Sequence, residues 1–551
     1  MNQARRMSDT FPSMSDDKLR ETVKEWGLIS GEGQSLDIGA DLRKSLAVFK
    51  NGTALVAEGQ RHAPGIKLIL DRARRMGLQL VDIREVDPPT IGRIYGAPAT
   101  RFNLTHWKTL ELERQKSLAR IIAEAAELKA SDIHMRVMDD RTEVKVRVNG
   151  RMREMRDEGS QEGQEMIRAA FAVATGQGSG GTDSTFQQGA MFQKSGLLPA
   201  NVEMLRLQYT PTSDMRGALV MRLKYVGKSG ETDVDSLGYS AQQSADLKKM
   251  RLKTNGMYIF AGKVSSGKTT TLQRCLNAMF LDKRKEISIY AAEDPKELEL
   301  LGAIQAQITA GQNANDAFKM AMKAALRSDP NVIVLGEIRS EELTSMAVEA
   351  AKTGHALWST VHAGSALGIL NRLINLGADR EDLKDPRTVG GLIYQRLLGV
   401  LCRSCRITLR EARARDEVDA ELADKLVEIT GQSDEALVCR GAGCSSCFMG
   451  LSGRTVVAET VRPDARLLEL YMDDSRIKAE QYWLAPVESG GLGGAPVMHH
   501  AMVKVGAGIV DINEVQEEVD LLENYERELR HLVPRLRREV TEMRGGFGGR
   551  A

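Results

Sequence analysis

The segment Gly262-Lys263-Val264-Ser265-Ser266-Gly267-Lys268-Thr269 constrains the fold more than any other stretch, because it satisfies GxxxxGK[ST] with suitable flanks on both sides. Gly256–Ala261 (GMYIFA) before it is a continuous apolar run of strand length, and Thr269–Phe280 after it contains neither Gly nor Pro and reads as a helix. Strand, glycine loop and helix in that order direct backbone N–H groups at phosphates at a helix N-terminus. The expectation is a nucleoside triphosphate cradled by Gly262, Lys263, Val264, Ser265, Ser266, Gly267, Lys268, Thr269 and Thr270. Lys268 would neutralise the β and γ phosphates, and the Thr269 hydroxyl would ligate Mg²⁺. From Gly238 to about Leu401 apolar strands alternate with helical segments, which predicts a parallel sheet covered by helices.

Hydrolysis also needs an acid near the γ-phosphate. Val332-Ile333-Val334-Leu335 is a buried-strand pattern that ends in Gly336-Glu337, placing Glu337 to orient or deprotonate water. Ile287–Ala292 is a second strand candidate and ends in Glu293-Asp294-Pro295. Either acid alone reads better as a solvated loop residue; beside a phosphate loop they read as a magnesium- and water-positioning cluster. His355 and His362 bracket the strand-like run ALWSTV. A lone histidine is more often structural, but this pair adds a third strand end to the same domain.

The rest of the chain reads as separate domains. At 551 residues it is too long for one core. Residues 1–110 form an α/β pattern: two apolar runs around Asn51-Gly52 predict a hairpin, a helix follows over Lys67–Met76, and Leu78–Ile83 reads as a strand. Pro88, Pro89 and Pro98 mark a boundary, and a helix is expected over Trp107–Leu128. Strand patterns at Thr142–Val148, Met204–Tyr209 and Ala218–Tyr225 predict a mostly β domain over 111–230, with Gly-, Gln- and Ser-rich 157–200 read as an irregular loop region. Residues 231–400 are the phosphate-loop core, 401–456 a cysteine-bearing subdomain and 457–551 a helical region. In Ile512–Met543 apolar residues recur every three or four positions, and Pro534 must kink or break that helix. A surface helix packing on its own domain is favoured there over a coiled coil.

Composition excludes several classes. No stretch approaches the roughly 20 apolar residues of a membrane span, and the start MNQARRMSDTFPSMSDDKLR lacks the apolar region of an export signal. A cytoplasmic protein is expected. Lys plus Arg (76) nearly equal Asp plus Glu (75), which weakens a nucleic-acid-binding reading. Cys402-Arg-Ser-Cys405 and Cys444-Ser-Ser-Cys447 are two CxxC pairs in a chain expected to stay reduced, a spacing suited to structural Zn²⁺ rather than to a disulfide framework or redox pair.

The ordered motifs GKVSSGKTTT, AAEDPKE, LRSDPNVIVLGEIRSEE and AKTGHALWSTVHA, with ASDIHMRVMDDRTEVKVRVNGRM ahead of them, resemble the secretion ATPase family that includes GspE, PilB and PilT. The resemblance spans about residues 130–460 and implies an α/β, RecA-like P-loop core preceded by an α+β (PAS-like) domain. It implies a hexamer with ATP between those domains, an "Asp box" at Glu293 and Asp294, a catalytic Glu337 and a "His box" of His355 and His362, with His362 the phosphate sensor. Arginines of the preceding domain reach the phosphates in this family, and Arg206 and Arg222 stand at the matching strands. GCSSCFMGLSGRTVVAET resembles the tetracysteine region of GspE- and PilB-type assembly ATPases, which retraction ATPases lack. The implied partner is an inner-membrane platform protein, with membrane association through partners and no direct nucleic acid. A retraction or conjugative-transfer motor, a nucleic-acid translocase and a nucleotide switch stay open as alternatives. Lys263 and Ser265 replace the Pro and second Gly usual in the family loop, while Gly262, Gly267, Lys268 and Thr269 are kept.

Overall fold

The computed structural model describes residues 16–547 apart from 31–34, 37, 39–41, 62, 96–103, 175–186, 193–195, 213–215, 227–229, 294–298 and 309–313. The chain divides into two compact units, Met1–Ser117 and Leu118–Ala551. In the first, α1 (Asp16–Trp26) precedes the antiparallel pair β1 (Leu46–Val48) and β2 (Thr53–Ala57). Helix α2 (Pro64–Arg75) crosses over to β3 (Asp82–Val86), parallel to β2, and α3 (Pro88–Ile94) follows. Only Gly52 of the Asn51-Gly52 turn takes a positive φ (85°); the Asn51 side chain instead accepts from the Thr53 N–H at 2.9 Å. The strand expected at Leu78–Ile83 starts at Asp82, because Leu78 and Leu80 pack on the core from an irregular approach. Pro88 opens a helix rather than only ending a domain, as suits a residue with no N–H to satisfy in a first turn. The boundary marker Pro98 lies outside the described residues.

The second unit begins within α4 (Leu104–Glu127), whose Leu118, Ile121, Ile122 and Ala125 are buried against a six-stranded sheet. Its strands are β4 (Asp132–Val137), β5 (Arg141–Val148), β6 (Arg151–Gly159), β7 (Gln187–Phe192), β8 (Val202–Pro211) and β9 (Gly217–Tyr225), in the order β6-β5-β4-β9-β8-β7. β5 alternates strictly between buried and half-buried positions, as its period-two pattern predicts. The 157–200 region is not wholly irregular: α5 (Ser160–Ala172) occupies Ser160-Gln-Glu-Gly-Gln-Glu-Met-Ile-Arg-Ala-Ala-Phe-Ala and buries Met166, Ile167, Ala170 and Phe171. Its polar first turn hid a helix whose apolar residues crowd the C-terminal half. Gly163 on α5 sits so close to β5 that a Cβ would lie 1.9 Å from Thr142 Oγ1. Gly163→Ala is therefore expected to destabilise this domain by about 1–3 kcal/mol despite the better helix propensity, read as a lower melting temperature and faster amide exchange in α5 and β5.

The core follows through α6 (Ala241–Arg251). Its strands are β10 (Gly256–Ala261), β11 (Ile289–Glu293), β12 (Ala303–Gln307), β13 (Val332–Leu335), β14 (Ala356–Val361), β15 (Val389–Leu401) and, far downstream, a returning strand at Leu451–Val461. The covering helices are α7 (Lys268–Asp282), α8 (Ala314–Leu326), α9 (Glu341–Lys352) and α10 (Gly368–Asn375). The sheet runs β12-β11-β13-β14-β10-β15 in parallel, with the returning strand antiparallel at the β15 edge. Every residue of β10 and β13 is buried, which explains their unbroken apolar sequences.

Between β15 and that last strand lies a subdomain with α11 (Leu409–Ala414), α12 (Ala420–Thr430) and the short pair β16 (Ile407–Thr408) and β17 (Val438–Cys439). The last strand, β18 (Leu451–Val461), pairs with β15 from Leu392↔Val461 to Leu401↔Leu451, so the cysteine region is an insertion between two neighbouring strands of the core sheet. A boundary at 456 falls inside β18. Downstream come α13 (Ala465–Glu469), α14 (Arg476–Leu484), α15 (Val497–Gly506), α16 (Ile512–Glu518), α17 (Leu522–Leu529) and α18 (Val533–Phe547). The single helix expected over 512–543 is three: the chain breaks after Glu518, and Pro534 stands in the first turn of α18 where it needs no N–H. Val515, Leu522, Leu536 and Val540 are buried in the core that these helices share with α12, α15 and β15, which is the packing role favoured over a coiled coil.

Candidate active site

Strand β10 delivers the chain to the loop at a sheet edge where three neighbouring parallel strands also end. Gly262 (φ 150°), Ser265 (φ 62°) and Gly267 (φ 83°) supply the left-handed backbone that folds the loop over the start of α7. A Cβ on Gly262 would lie 2.3 Å from the Gln395 carbonyl, so only glycine fits there. Lys268 Nζ reaches back across the loop and donates to the carbonyls of Gly262 (2.9 Å) and Lys263 (3.0 Å). Together with the N-terminus of a 15-residue helix, this makes an electropositive hollow suited to a triphosphate.

Register places the acids beside it. Ala292 pairs with Leu335, Leu335 with Ser359, and Val361 with Ala261, so Glu293, Glu337, His362 and Gly262 all stand at the C-terminal ends of adjacent strands. Glu293 is buried (8% exposed) and accepts from Gln305 Nε2 at 3.0 Å. The Glu337 turn is held by Thr360, whose hydroxyl donates to the Gly336 carbonyl at 2.8 Å and whose carbonyl accepts from the Ile338 N–H at 3.0 Å. His362 Nε2 lies 3.2 Å from Glu337 Oε1, with both side chains partly open to solvent.

A cleft of about 600 Å³ is lined by Val264, Ser265, Ser266, Gly267, Lys268, Thr269, Thr270, Glu293, Glu337 and His362 from the core, and by Arg206 and Arg222 from the six-stranded sheet. Those arginines face each other directly across β8 and β9. Like charges at such a position are unfavourable, which sets these strands apart from an ordinary sheet surface. Arg222 Nε is held at 3.0 Å by Asp132 Oδ1, a carboxylate only 4% exposed.

His355, Lys263 and Gly262 stand outside this lining. His355 precedes β14 at the opposite sheet edge, where its carbonyl accepts from the Gly256 N–H at the start of β10 and its Nδ1 lies 3.2 Å from the Ala350 carbonyl. A six-residue strand separates it from His362, about 20 Å at the rise of extended backbone. It is therefore not brought to the cleft. Lys263 turns its ammonium to Glu518 of α16, 3.2 Å away, and it and Gly262 form the base of the loop rather than the lining of the cleft. Asp294 lies outside the described residues. Arg339 and Arg454 also line the cleft and were not singled out from the sequence. Arg454 escaped because β18 was divided between a cysteine subdomain and a helical region; the apolar run after it was the available signal.

The second candidate centre closes the β15–β18 ladder. Cys402, Cys405, Cys444 and Cys447 bring their sulfurs within 4.8 Å of one another. Cys402 Sγ lies 3.8 Å from Cys444 Sγ, and Cys447 Sγ lies 3.6 Å from Cys405 Sγ and 3.7 Å from Cys444 Sγ. A tetrahedron of thiolates with Zn–S bonds near 2.3 Å has sulfur–sulfur edges of about 3.8 Å, so the cluster fits zinc. Close approach between the two knuckles requires Gly441, where a Cβ would meet the Cys405 carbonyl at 1.8 Å. Cys439 on β17 and Cys275 on α7 are buried outside the cluster, and burial pushes both thiols up to about 12.

Residues 112–516 match the model of the type II/IV secretion system protein family. The protein transport protein HofB homolog of Escherichia coli (strain K12) is 28% identical over 406 residues, covering 70% of this chain and 82% of that protein. The type II secretion system protein E of Pseudomonas aeruginosa is 29% identical over 357 residues, 64% of this chain and 66% of that protein. The type IV pilus assembly ATPase PilB of Pseudomonas aeruginosa is 32% identical over 256 residues, 46% of this chain and less than half (43%) of that protein.

Proposed function

The chain belongs to the type II/IV secretion system protein family, and on that premise we propose that it is a hexameric ATPase that drives assembly of a pilus or of a type II secretion pseudopilus. The observation that carries this reading is the shared cleft, lined by the phosphate loop, Glu337 and His362 of the core and by Arg206 and Arg222 of a different domain. Lys268 and the loop N–H groups hold the triphosphate, and the arginines approach its charge from the facing domain. Thr269 would hold Mg²⁺, which when bound neutralises phosphate charge. Glu337 orients the attacking water and takes its proton, and His362, within 3.2 Å of that carboxylate, fixes its direction. Phosphate contacts made from two domains change when the triphosphate is cleaved, and this is the source of relative motion between them.

The relatives named type II secretion system protein E and type IV pilus assembly ATPase PilB support an assembly role. The tetracysteine cluster, whose geometry suits zinc, supports it as well. Among the described residues no helix is long and apolar enough to cross a membrane. In this reading the chain acts from the cytoplasm on an inner-membrane platform protein. Purified wild type is expected to hydrolyse MgATP. Lys268→Ala is expected to lose nucleotide binding at least a hundredfold and, introduced into a deletion strain, to restore neither piliation nor secretion. Wild-type ATPase activity in Lys268→Ala, or rescue of the strain by it, would overturn the reading.

A further inference from the structure

Beneath the phosphate loop lies a hydrogen-bonded chain that the hydrolysis chemistry above does not use. Gln395, in the middle of β15, is completely buried. A buried amide left unpaired is costly, and here both ends are satisfied. Its Nε2 donates to the Ser266 carbonyl at 2.7 Å, and its Oε1 accepts from the Tyr239 hydroxyl at 2.6 Å. The flipped amide would set oxygen against the Ser266 oxygen, so the network fixes the orientation. The Tyr239 hydroxyl also lies 3.2 Å from Thr271 Oγ1 on α7. Burial raises the phenol far above its ordinary range, so it stays a donor at any working pH.

The consequence for the loop follows from peptide planarity. In the Ser266–Gly267 peptide the C=O and N–H point in opposite directions. A carbonyl drawn down to Gln395 therefore turns the Gly267 N–H away from it, toward the cleft that Gly267 lines. Tyr239 is itself held on the segment that enters the core from the six-stranded domain. Just before it, Gly238 takes φ 102°, and its carbonyl accepts from buried Lys504 Nζ at 2.6 Å. Just after it, the Ser240 hydroxyl caps α6 by accepting from the Gln243 N–H.

We propose that Tyr239 and Gln395 are positioning residues of the nucleotide site, aiming the Gly267 N–H at the phosphates and tying the phosphate loop to the segment that joins the two domains. The proposal rests on the ATPase reading above. It is tested on the full chain with Tyr239→Phe, Gln395→Leu and the double variant, measuring MgATP turnover, equilibrium binding of a fluorescent ATP analogue, and thermal unfolding. Each single variant is expected to raise Kd and KM about tenfold with kcat lowered less than threefold. The double is expected to be no worse than Gln395→Leu, because both residues act through one chain of bonds. Kd and KM within twofold of wild type in a folded Tyr239→Phe would overturn the proposal, as would effects that multiply in the double or a melting-temperature loss with unchanged KM. Should Gln395→Leu fail to fold, Tyr239→Phe decides alone. A wild type that binds no nucleotide would instead overturn the ATPase reading.

Discussion

Glu337→Gln is expected to bind MgATP with wild-type affinity and to turn it over about 10²- to 10⁴-fold more slowly. Glutamine keeps the size and hydrogen-bonding reach of the side chain at the end of β13, so the strand, the Thr360 bonds to the Gly336–Ile338 turn and the proximity to His362 are preserved. What it loses is basicity: an amide cannot take a proton from the attacking water. Binding resides in a different element, the loop at the end of β10 with Lys268 folded across it, which the substitution does not touch. Nucleotide affinity measured by calorimetry should change less than twofold while steady-state phosphate release collapses. Undiminished turnover in this variant would remove Glu337 from the chemistry, and lost affinity would mean that the carboxylate shapes the cradle rather than the reaction.

Stripping the metal from the cysteine centre is expected to loosen the two knuckles, residues 402–408 and 440–450, while leaving the core sheet intact and α11 and α12 packed in the core they share with α15 and α18. Structural zinc sites bind with apparent free energies of about 10–16 kcal/mol, which is comparable to the whole stability of a domain. The four thiols here close an insertion whose ends are adjacent strands, and its own sheet is only the two-residue pair β16–β17. Without the ion the turns that carry the thiols have little to hold them, whereas Leu409, Ala412, Leu426 and Ile429 stay in the core shared with α15 and α18. Wild type should contain stoichiometric zinc by elemental analysis, and Cys402→Ser/Cys444→Ser should contain none. Amide exchange across 402–408 and 440–450 should rise toward unfolded rates, with α12, β10 and β13 still protected. A metal-free wild type with full protection over 402–408 and 440–450 would refute the zinc assignment.

Much of this was readable from local pattern. The strand before the phosphate loop, the strands leading to Glu293 and Glu337, and the run before His362 are mostly apolar segments that stop at a glycine or a polar residue, and such segments become buried parallel strands. Chain order alone therefore delivers three functional groups to one sheet edge. His355 shows where that reasoning fails, since a histidine at each end of a strand lies on opposite edges of the sheet and only one can reach the nucleotide. α5 was hidden because its polar first turn reads as loop, and its helix is stabilised by a face packed on β5.

By itself the sequence determined the glycine loop, Glu293 and Glu337 at the ends of neighbouring strands, the four clustering cysteines and the family, all of which depend on residue types at short spacing. Only the tertiary structure decided that β18 returns to pair with β15, that Arg206 and Arg222 share a cleft with the loop, and that Tyr239 and Gln395, 156 positions apart, meet beneath it. Short-range periodicity encodes which face of an element is buried. It carries no record of which distant element will cover that face, because that choice is made by the fit of whole surfaces once the chain has collapsed.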